Sequence, residues 1–543
     1  MADYTPPLDD IRFVLTNVVD LAALADVDEV MGLLEEAGRF FATEIAPTNR
    51  PADVEGVRLQ DGVVTTPAGF PAIYRRYVDA GWNAVPFDPE YGGGGFPWMV
   101  AIALQEMLTS SNMAFSMAPL LTQGAIDLLH HHASEDQKNR YLPKLITGEW
   151  TATMNLTEPQ AGSDVGAVRT KATPNDDGSW SISGTKIFIT FGEHDMTDNI
   201  IHLVLARTPD APPGTKGISC FIVPKVLEDG TRNAVTCVGV EHKMGIHASP
   251  TCVLSYDGAR GELIGDVNQG MRFMFTMMNN ARLSVGLEGL ALGERALQDA
   301  RAYASERLQG RAMGAAPGVQ SPIVSHADVR RMLLRMRSLV EAMRCLVYLD
   351  AEAVSKGDTE LADLLTPITK GWCTDMGVEV TSLAIQVHGG TGYIEESGVA
   401  QHYRDARIPP IYEGTNGIQA IDLVGRKLPV RGGDAVRELI ARMADGAGPA
   451  LADACSALEE ATDWLLTKGF ADPDDALAGA VPYLRMWGVT IGGWLLARSA
   501  DAAGAGSEKA AVSAFYDAHV LPEARACLPA VTAGAGLVRA IEP

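Results

Sequence analysis

The sequence predicts an α+β chain that is mostly helical, with a helical N-terminal domain, a β domain in the middle, a helical bundle and an additional helical domain at the C-terminus. Three observations predict it. Apolar residues recur at helical intervals in the first third, alternating or β-branched runs replace them in the middle, and helical spacing then returns and persists. The expected boundaries are 1–149, 150–262, 263–430 and 431–543. At 543 residues, 47% hydrophobic and 21% charged, the chain is long enough for several large cores.

The elements follow in chain order. Leu21 to Ile45 places Leu24, Val27, Val30, Leu33, Leu34, Phe40 and Phe41 at helical intervals and ends at Pro47. Pro71 to Gly81, Trp98 to Ser110 and Pro119 to His132 continue the pattern. Between them EYGGGGFP, Glu90 to Pro97, is a glycine-rich loop without the GK[ST] ending or the strand and helix context of a phosphate loop. The run His130-His131-His132 reads as a solvated helix end rather than a metal site, because adjacent side chains diverge around a helix. From Trp150 to about Asp257, SWSISGTKIFIT, NIIHLVLA, GISCFIVP and TCVLSY are strands separated by Gly, Pro and Asp clusters.

Helix resumes at Gly270 and runs almost to Gly310, with Met271, Met274, Met277 and Met278 as core filler. The stretch GRAMGAAPGVQSP after it is a surface loop. Beyond Leu428 the chain is Ala-rich and helix-patterned, with breaks near Gly446 to Pro449, Asp472 to Asp475 and Gly504 to Gly506.

Composition excludes several functions. MADYTPPLDDIRF has no basic segment leading into an apolar run, and no stretch is long and apolar enough to span a membrane, so a cytoplasmic, unprocessed protein is expected. The seven cysteines have neither CxxC nor metal-ligand spacing, which points to a reduced compartment and no structural zinc. A formal charge of -24 disfavours nucleic acid, and from Arg431 to Pro543 there are 9 Lys and Arg against 15 Asp and Glu. An anionic ligand must therefore meet a local basic pocket.

The candidate base is Glu413, in RDARIPPIYEGTNGIQAIDLVGRKL from Arg404 to Leu428. Pro409 and Pro410 forbid helix before it, Gly414 leaves a hinge, and Thr415 or Asn416 can cap a helix after it. Ile408, Ile411 and Tyr412 are expected to surround the carboxylate with apolar bulk and raise its pKa toward neutrality. Locally, a Glu at a helix start is more often just a favourable partner for the helix dipole. Other stretches change the balance.

Tyr412 to Thr415, TEPQAGSD at Thr157 to Asp164, SGTKIFIT at Ser183 to Thr190, YASERLQG at Tyr303 to Gly310 and QVHGGTGY at Gln386 to Tyr393 together resemble the acyl-CoA dehydrogenase family, in order and spacing. The resemblance implies FAD-dependent α,β-dehydrogenation of an acyl-CoA thioester to the trans-2-enoyl-CoA. Glu413 takes the Cα proton, hydride leaves Cβ for the flavin, and electrons pass to an electron-transfer flavoprotein. It implies flavin contacts at Leu156, Thr157, Ser163, Phe188 and Thr190, with Thr415 nearby, and pyrophosphate contacts at Arg307 and Gln309. It also implies that Gln386, Gly389 and Gly390 approach the dinucleotide across a subunit interface, hence a homo-oligomer, dimer or tetramer. Substrate contacts fall on Ser163, Lys243, Arg282, Glu413 and Gly414.

The chain departs from the family pattern at Met154, where an aromatic is usual, at Phe188, where tryptophan is usual, and at Gly310, where phenylalanine is usual. Some members carry their base on the long helix, but Asn279 to Arg282 has no carboxylate, which leaves Glu413 unopposed; the next carboxylate to consider is Glu288. The C-terminal extension resembles the long-form branch that includes 3-methylmercaptopropionyl-CoA dehydrogenase, so that thioester or another short- or medium-chain acyl-CoA is expected. Two alternatives stay open: a DNA-associated flavoprotein of the same fold, and an acyl-CoA oxidase using oxygen directly.

Overall fold

The computed structural model describes residues 3–542. They fall into two compact units, one of Arg39–Ala281 and one of the described residues of Met1–Gly38 together with Arg282–Pro543.

The Arg39–Ala281 unit holds the sheet. A short hairpin, β1 (Arg58–Gln60) and β2 (Val63–Thr65), turns through Asp61 and Gly62, both at positive φ. The main sheet comprises β3 (Thr151–Asn155), β4 (Lys171–Pro174), β5 (Trp180–Thr190), β6 (Ile200–Ala206), β7 (Ser219–Pro224), β8 (Val235–Val240) and β9 (Thr251–Leu263). Its order is β3-β6-β7-β9-β5-β4, with β8 also paired to β9. Of these strand pairs β3 and β6 alone run parallel, and a single parallel bridge joins Lys171 of β4 to Arg207. The run IIHLVLA is buried throughout because both faces of β6 are covered. Strand alternation sends Ile201, Leu203 and Leu205 into a core shared with Leu120, Leu121 and Leu128, and Val204 and Ala206 into one with Phe221 and Val223.

Helices Phe70–Asp79, Trp98–Ser111, Met113–His132 and Glu135–Ile146 complete this unit. Two helix expectations are corrected. Leu21 to Ile45 is not continuous: a 3-10 turn at Leu21–Ala23 precedes the helix Val27–Phe40, and a wide π turn follows over Phe41–Ile45. The helix expected from Pro119 begins at Met113 instead, because the Asn112 side chain accepts the Phe115 N–H at 3.1 Å and caps it earlier, leaving Pro119 inside. The glycine-rich loop folds back on its own chain. Gly94, Gly95 and Phe96 donate their N–H groups to Ala84, Phe87 and Val85, and a Cβ on Gly93 would lie 2.0 Å from the Phe87 oxygen. Its amides are spent internally, which agrees with rejecting a phosphate loop.

The other unit is helical. Its frame is the 37-residue helix Gly270–Glu306, which starts in the first unit, with Ala327–Ser355 and Thr359–His388. The long helix crosses Thr359–His388 backbone to backbone, since a Cβ on Gly289 would lie 2.2 Å from the Cys373 oxygen and one on Gly377 2.7 Å from the Gly289 Cα. The extension contributes Asp434–Ala444, Pro449–Thr467, Ala480–Ala503, Glu508–His519 and Pro522–Thr532. Ala480–Ala503 packs against Thr359–His388 so closely that a Cβ on Gly488 would strike the buried Trp372 ring at 2.1 Å. No helix among the described residues is long and apolar enough to cross a membrane.

Candidate active site

The chain reaches Glu413 from a helix, Val399–Ala406, that ends before Pro409 and Pro410. Glu413 (φ 55) and Gly414 (φ 84) are consecutive left-handed residues that reverse the backbone. A non-glycine residue held there costs about 1–3 kcal/mol, so surrounding bonds must enforce it. They do. Gln419 donates its side-chain amide to the Glu413 and Gly414 carbonyls at 3.3 and 3.2 Å. Thr415 caps the helix Asn416–Asp422 by accepting the Ile418 N–H at 3.2 Å.

From the Thr359–His388 helix, the buried Lys370 Nζ donates to the Gly414 carbonyl at 2.8 Å and to Asn416 Oδ1 at 2.9 Å. Asn416 in turn donates to Asp375 at 2.7 Å and to the Gly371 carbonyl at 3.0 Å. The turn is thus pinned to a helix packed against the long one. The Glu413 N–H is engaged by no acceptor among the described residues, which leaves it available to a ligand.

Electrostatics separate the ionisable groups. Glu413 is half-buried, and loss of hydration pushes its carboxyl up to about 7 against the pull of Arg282 and Lys370. Glu288, on the long helix and fully buried, is raised to about 8 by burial and by Glu413, although the Tyr412 hydroxyl donates to its Oε2. Burial lowers Lys370 to about 7 in spite of Glu413 and Glu288 nearby. Burial also lowers Arg282, whose guanidinium meets Asp422 at 3.5 Å while its Nε has no partner among the described residues. A Cβ on Gly414 would lie 3.8 Å from Arg282 Nη2, so the bare backbone of Gly414 sits beside that cation.

This corrects one expectation: Tyr412 does not simply wall the carboxylate with apolar surface, because its hydroxyl is tied to Glu288, and Ile411 is 52% exposed. Glu288, the next carboxylate the sequence offered, lies on the long helix six residues past Arg282 and is itself a perturbed carboxyl. Lys370 was missed by sequence reading. Its signal was a lone cation in the apolar run LLTPITKGWC, where a buried lysine needs polar partners.

The other expected residues of this unit lie at the far ends of helices. Arg307 and Gln309 are exposed, and no side-chain bond holds the Arg307 guanidinium among the described residues. Backbone bonds from Gln309 to Ser321, from Ser321 to Gly310 and from Ile323 to Arg307 close the glycine- and proline-rich insert into a surface loop. Tyr303 stacks on His388 with ring centroids 4.3 Å apart, which brings the end of the long helix beside Gly389 and Gly390. Gly389 has φ 60, and a Cβ on either glycine would meet nothing within 4 Å. Gln386 is exposed on the last turn before them.

In the sheet unit, a bulge in β5 between Lys186 and Ile189 turns Phe188 outward at φ 59 and leaves it 58% exposed. The Ile187 N–H donates to the Thr157 carbonyl at 2.9 Å, and buried Lys186 bonds the Leu156 carbonyl and Glu158, each at 2.9 Å. Leu156, Thr157, Phe188 and Thr190 are therefore gathered at one end of the sheet. Ser163 is exposed on the following loop, and Lys243 donates to the Ser249 carbonyl at 2.8 Å. No group of three or more potential metal ligands occurs among the described residues.

The chain matches known proteins along most of its length. Models of the acyl-CoA dehydrogenase N-terminal, middle and C-terminal domains match residues 28–149, 153–259 and 268–428, and an acetyl-CoA dehydrogenase C-terminal-like model matches 434–542. The chain is 46% identical to the 3-methylmercaptopropionyl-CoA dehydrogenase of Ruegeria pomeroyi, over 95% of this chain and 94% of that one. It is 38% identical to a butyryl-CoA dehydrogenase of Syntrophomonas wolfei, over 84% and 82% respectively. Its fold resembles that of a Bacillus anthracis acyl-CoA dehydrogenase complexed with FAD, with a TM-score of 0.76 at 20% identity over 95% of this chain and 89% of the other.

Proposed function

The chain belongs to the acyl-CoA dehydrogenase family, and on that premise we propose that it converts an acyl-CoA thioester to the trans-2-enoyl-CoA with Glu413 as the base. The observation that carries this reading is the state of Glu413: a carboxyl raised to about 7, on an enforced left-handed turn, with an unengaged backbone N–H of its own. A base of that strength is ionised often enough near neutral pH and still strong enough to take a Cα proton. The Glu413 N–H suits the thioester oxygen, where negative charge grows as the proton leaves. Arg282, one edge of its guanidinium unpartnered, adds positive charge beside the base.

FAD is the proposed cofactor, and it supplies an acceptor for the two electrons and hydrogen that Cβ gives up. The residues fit it in each unit. Outward-turned Phe188 and the hydroxyls of Thr157, Ser163 and Thr190, with Leu156, suit a flat ring system; the family resemblance adds Thr415 as a further proposed flavin contact. The exposed side chains of Arg307 and Gln309 and the bare backbone of Gly389 and Gly390 after Gln386 suit a pyrophosphate and its adenosine end. Exposure of these last residues, with Tyr393 87% exposed beside them, supports a homo-oligomer in which a second copy covers them. Electrons then pass to an electron-transfer flavoprotein.

The full-length relative at 46% identity favours 3-methylmercaptopropionyl-CoA as substrate, with Lys243 and Gly414 also among the proposed acyl-CoA contacts. The test is anaerobic addition of 3-methylmercaptopropionyl-CoA, butyryl-CoA and longer straight-chain thioesters to the flavin-loaded protein. The visible flavin absorbance should bleach at once and fastest with the first. Failure of every thioester to bleach it would overturn the reading, and oxygen uptake matching turnover in air would replace it with an oxidase.

A further inference from the structure

Glu288 has no exposed surface, yet it is an ionisable group in the same small space as Glu413. One carboxyl oxygen accepts from Tyr412, and the other has no hydrogen-bond partner among the described residues. The charged and titratable groups around it are Tyr412 and Glu413 from the turn and Lys370 from the Thr359–His388 helix. Lys370 is already committed to the Gly414 carbonyl and Asn416. Two neighbouring carboxyls that share one cation do not ionise together cheaply. Glu413, half-exposed and nearer the charge of Arg282, ionises first.

Resting on the assignment of Glu413 as base, we propose that Glu288 is a positioning residue that anchors Tyr412, stays protonated while Glu413 works, and ends the active pH range when it ionises. The anchor matters because Tyr412 immediately precedes the left-handed Glu413 and fixes where that carboxylate points. The ionisation matters because a second negative charge at Glu288 opposes the charge that builds on the thioester as the Cα proton leaves.

The test is the pH profile of single-turnover flavin reduction by butyryl-CoA in wild type, Glu288→Gln and Tyr412→Phe. Wild type should show a bell, and Glu288→Gln, which retains an acceptor for Tyr412, should keep the acid limb and lose the alkaline fall of about tenfold per pH unit. Tyr412→Phe should move that fall to higher pH, because the lost hydrogen bond favoured the charged form of Glu288.

A second readout needs no turnover. In the wild-type minus Glu288→Gln infrared difference at pH 7, the carbonyl band of one buried protonated carboxyl should remain after the contributions of Asp350 and Glu413, common to both proteins, cancel, and in Tyr412→Phe that band should persist to higher pH. An alkaline fall that persists in Glu288→Gln, as deprotonation of Lys370 would produce, or absence of that band at pH 7, overturns the role of Glu288 alone. Normal flavin reduction in Glu413→Gln overturns the base assignment and this inference with it.

Discussion

Glu413 combines two unfavourable features, a left-handed backbone and a carboxyl short of water, and both are held in place by Gln419, Lys370 and the Thr415 cap. Because its pKa is raised to about 7 and the unprotonated form is the active one, the rate of flavin reduction should rise as pH rises through about 7. A rate independent of pH between 6 and 8 (roughly the span of that limb) would contradict it. In the sheet unit, Lys186 neutralises Glu158 with both side chains buried. Burial acts to raise Glu158, but the Lys186 charge and hydrogen bonds hold it at about 2. Replacing Lys186 with Met strands that carboxylate and should destabilise the fold by about 3–5 kcal/mol in urea unfolding at pH 7. The deficit should shrink at acid pH as Glu158 takes a proton. The place of Glu413 was legible because its determinants are local: Pro409 and Pro410 before it, Gly414 and Thr415 after it. Lys370 was not, and Glu288 was legible only as the next candidate carboxylate, because each lies inside an apolar helix and acquires its meaning only where the two helices cross.

That crossing is the central element of the helical unit. The close approach at Gly289 and Gly377 places Glu288, next to Gly289, against the helix that carries Lys370. Gly289→Ala puts a methyl group into the Cys373 carbonyl and should cost about 1–3 kcal/mol by overpacking. Urea unfolding measures it, and a variant as stable as wild type would show that the helices separate freely. At this scale the sequence was readable wherever periodicity was strong, as in the long helix from Gly270 and the buried strand IIHLVLA. It misled at Pro119, where a proline taken as a helix start lies within a helix that Asn112 caps earlier. It was silent on the outward turn of Phe188, which comes from a bulge against β9 that only the paired strand reveals.

Across the whole molecule, the extension beyond Leu428 is built into the helical unit rather than strung after it. Trp372 is buried under Gly488, and Leu484 lies against Gly371, so ending the chain at Gly433 would bare a large apolar face on the Thr359–His388 helix. Such a truncated chain should be insoluble or aggregate on release from a solubility tag; a soluble, flavin-binding product would show that the extension is dispensable. The order of helical and β stretches was legible from period alone, whereas this packing was not, because small residues such as Gly488 and Gly371 carry no periodic signal. The charge of -24 predicts at most weak, salt-insensitive association with DNA, and tight binding lost steeply with salt would return the DNA-associated reading.

The assignment of Glu413 as the base is tested most directly by Glu413→Gln, which preserves volume and hydrogen-bonding capacity while removing the basic carboxylate. Flavin content and the spectral shift on acyl-CoA binding should survive, and anaerobic flavin reduction by 3-methylmercaptopropionyl-CoA or butyryl-CoA should fall by about 10²- to 10⁴-fold or more. Reduction at close to the wild-type rate would contradict the account and make Glu413 a structural residue of the turn.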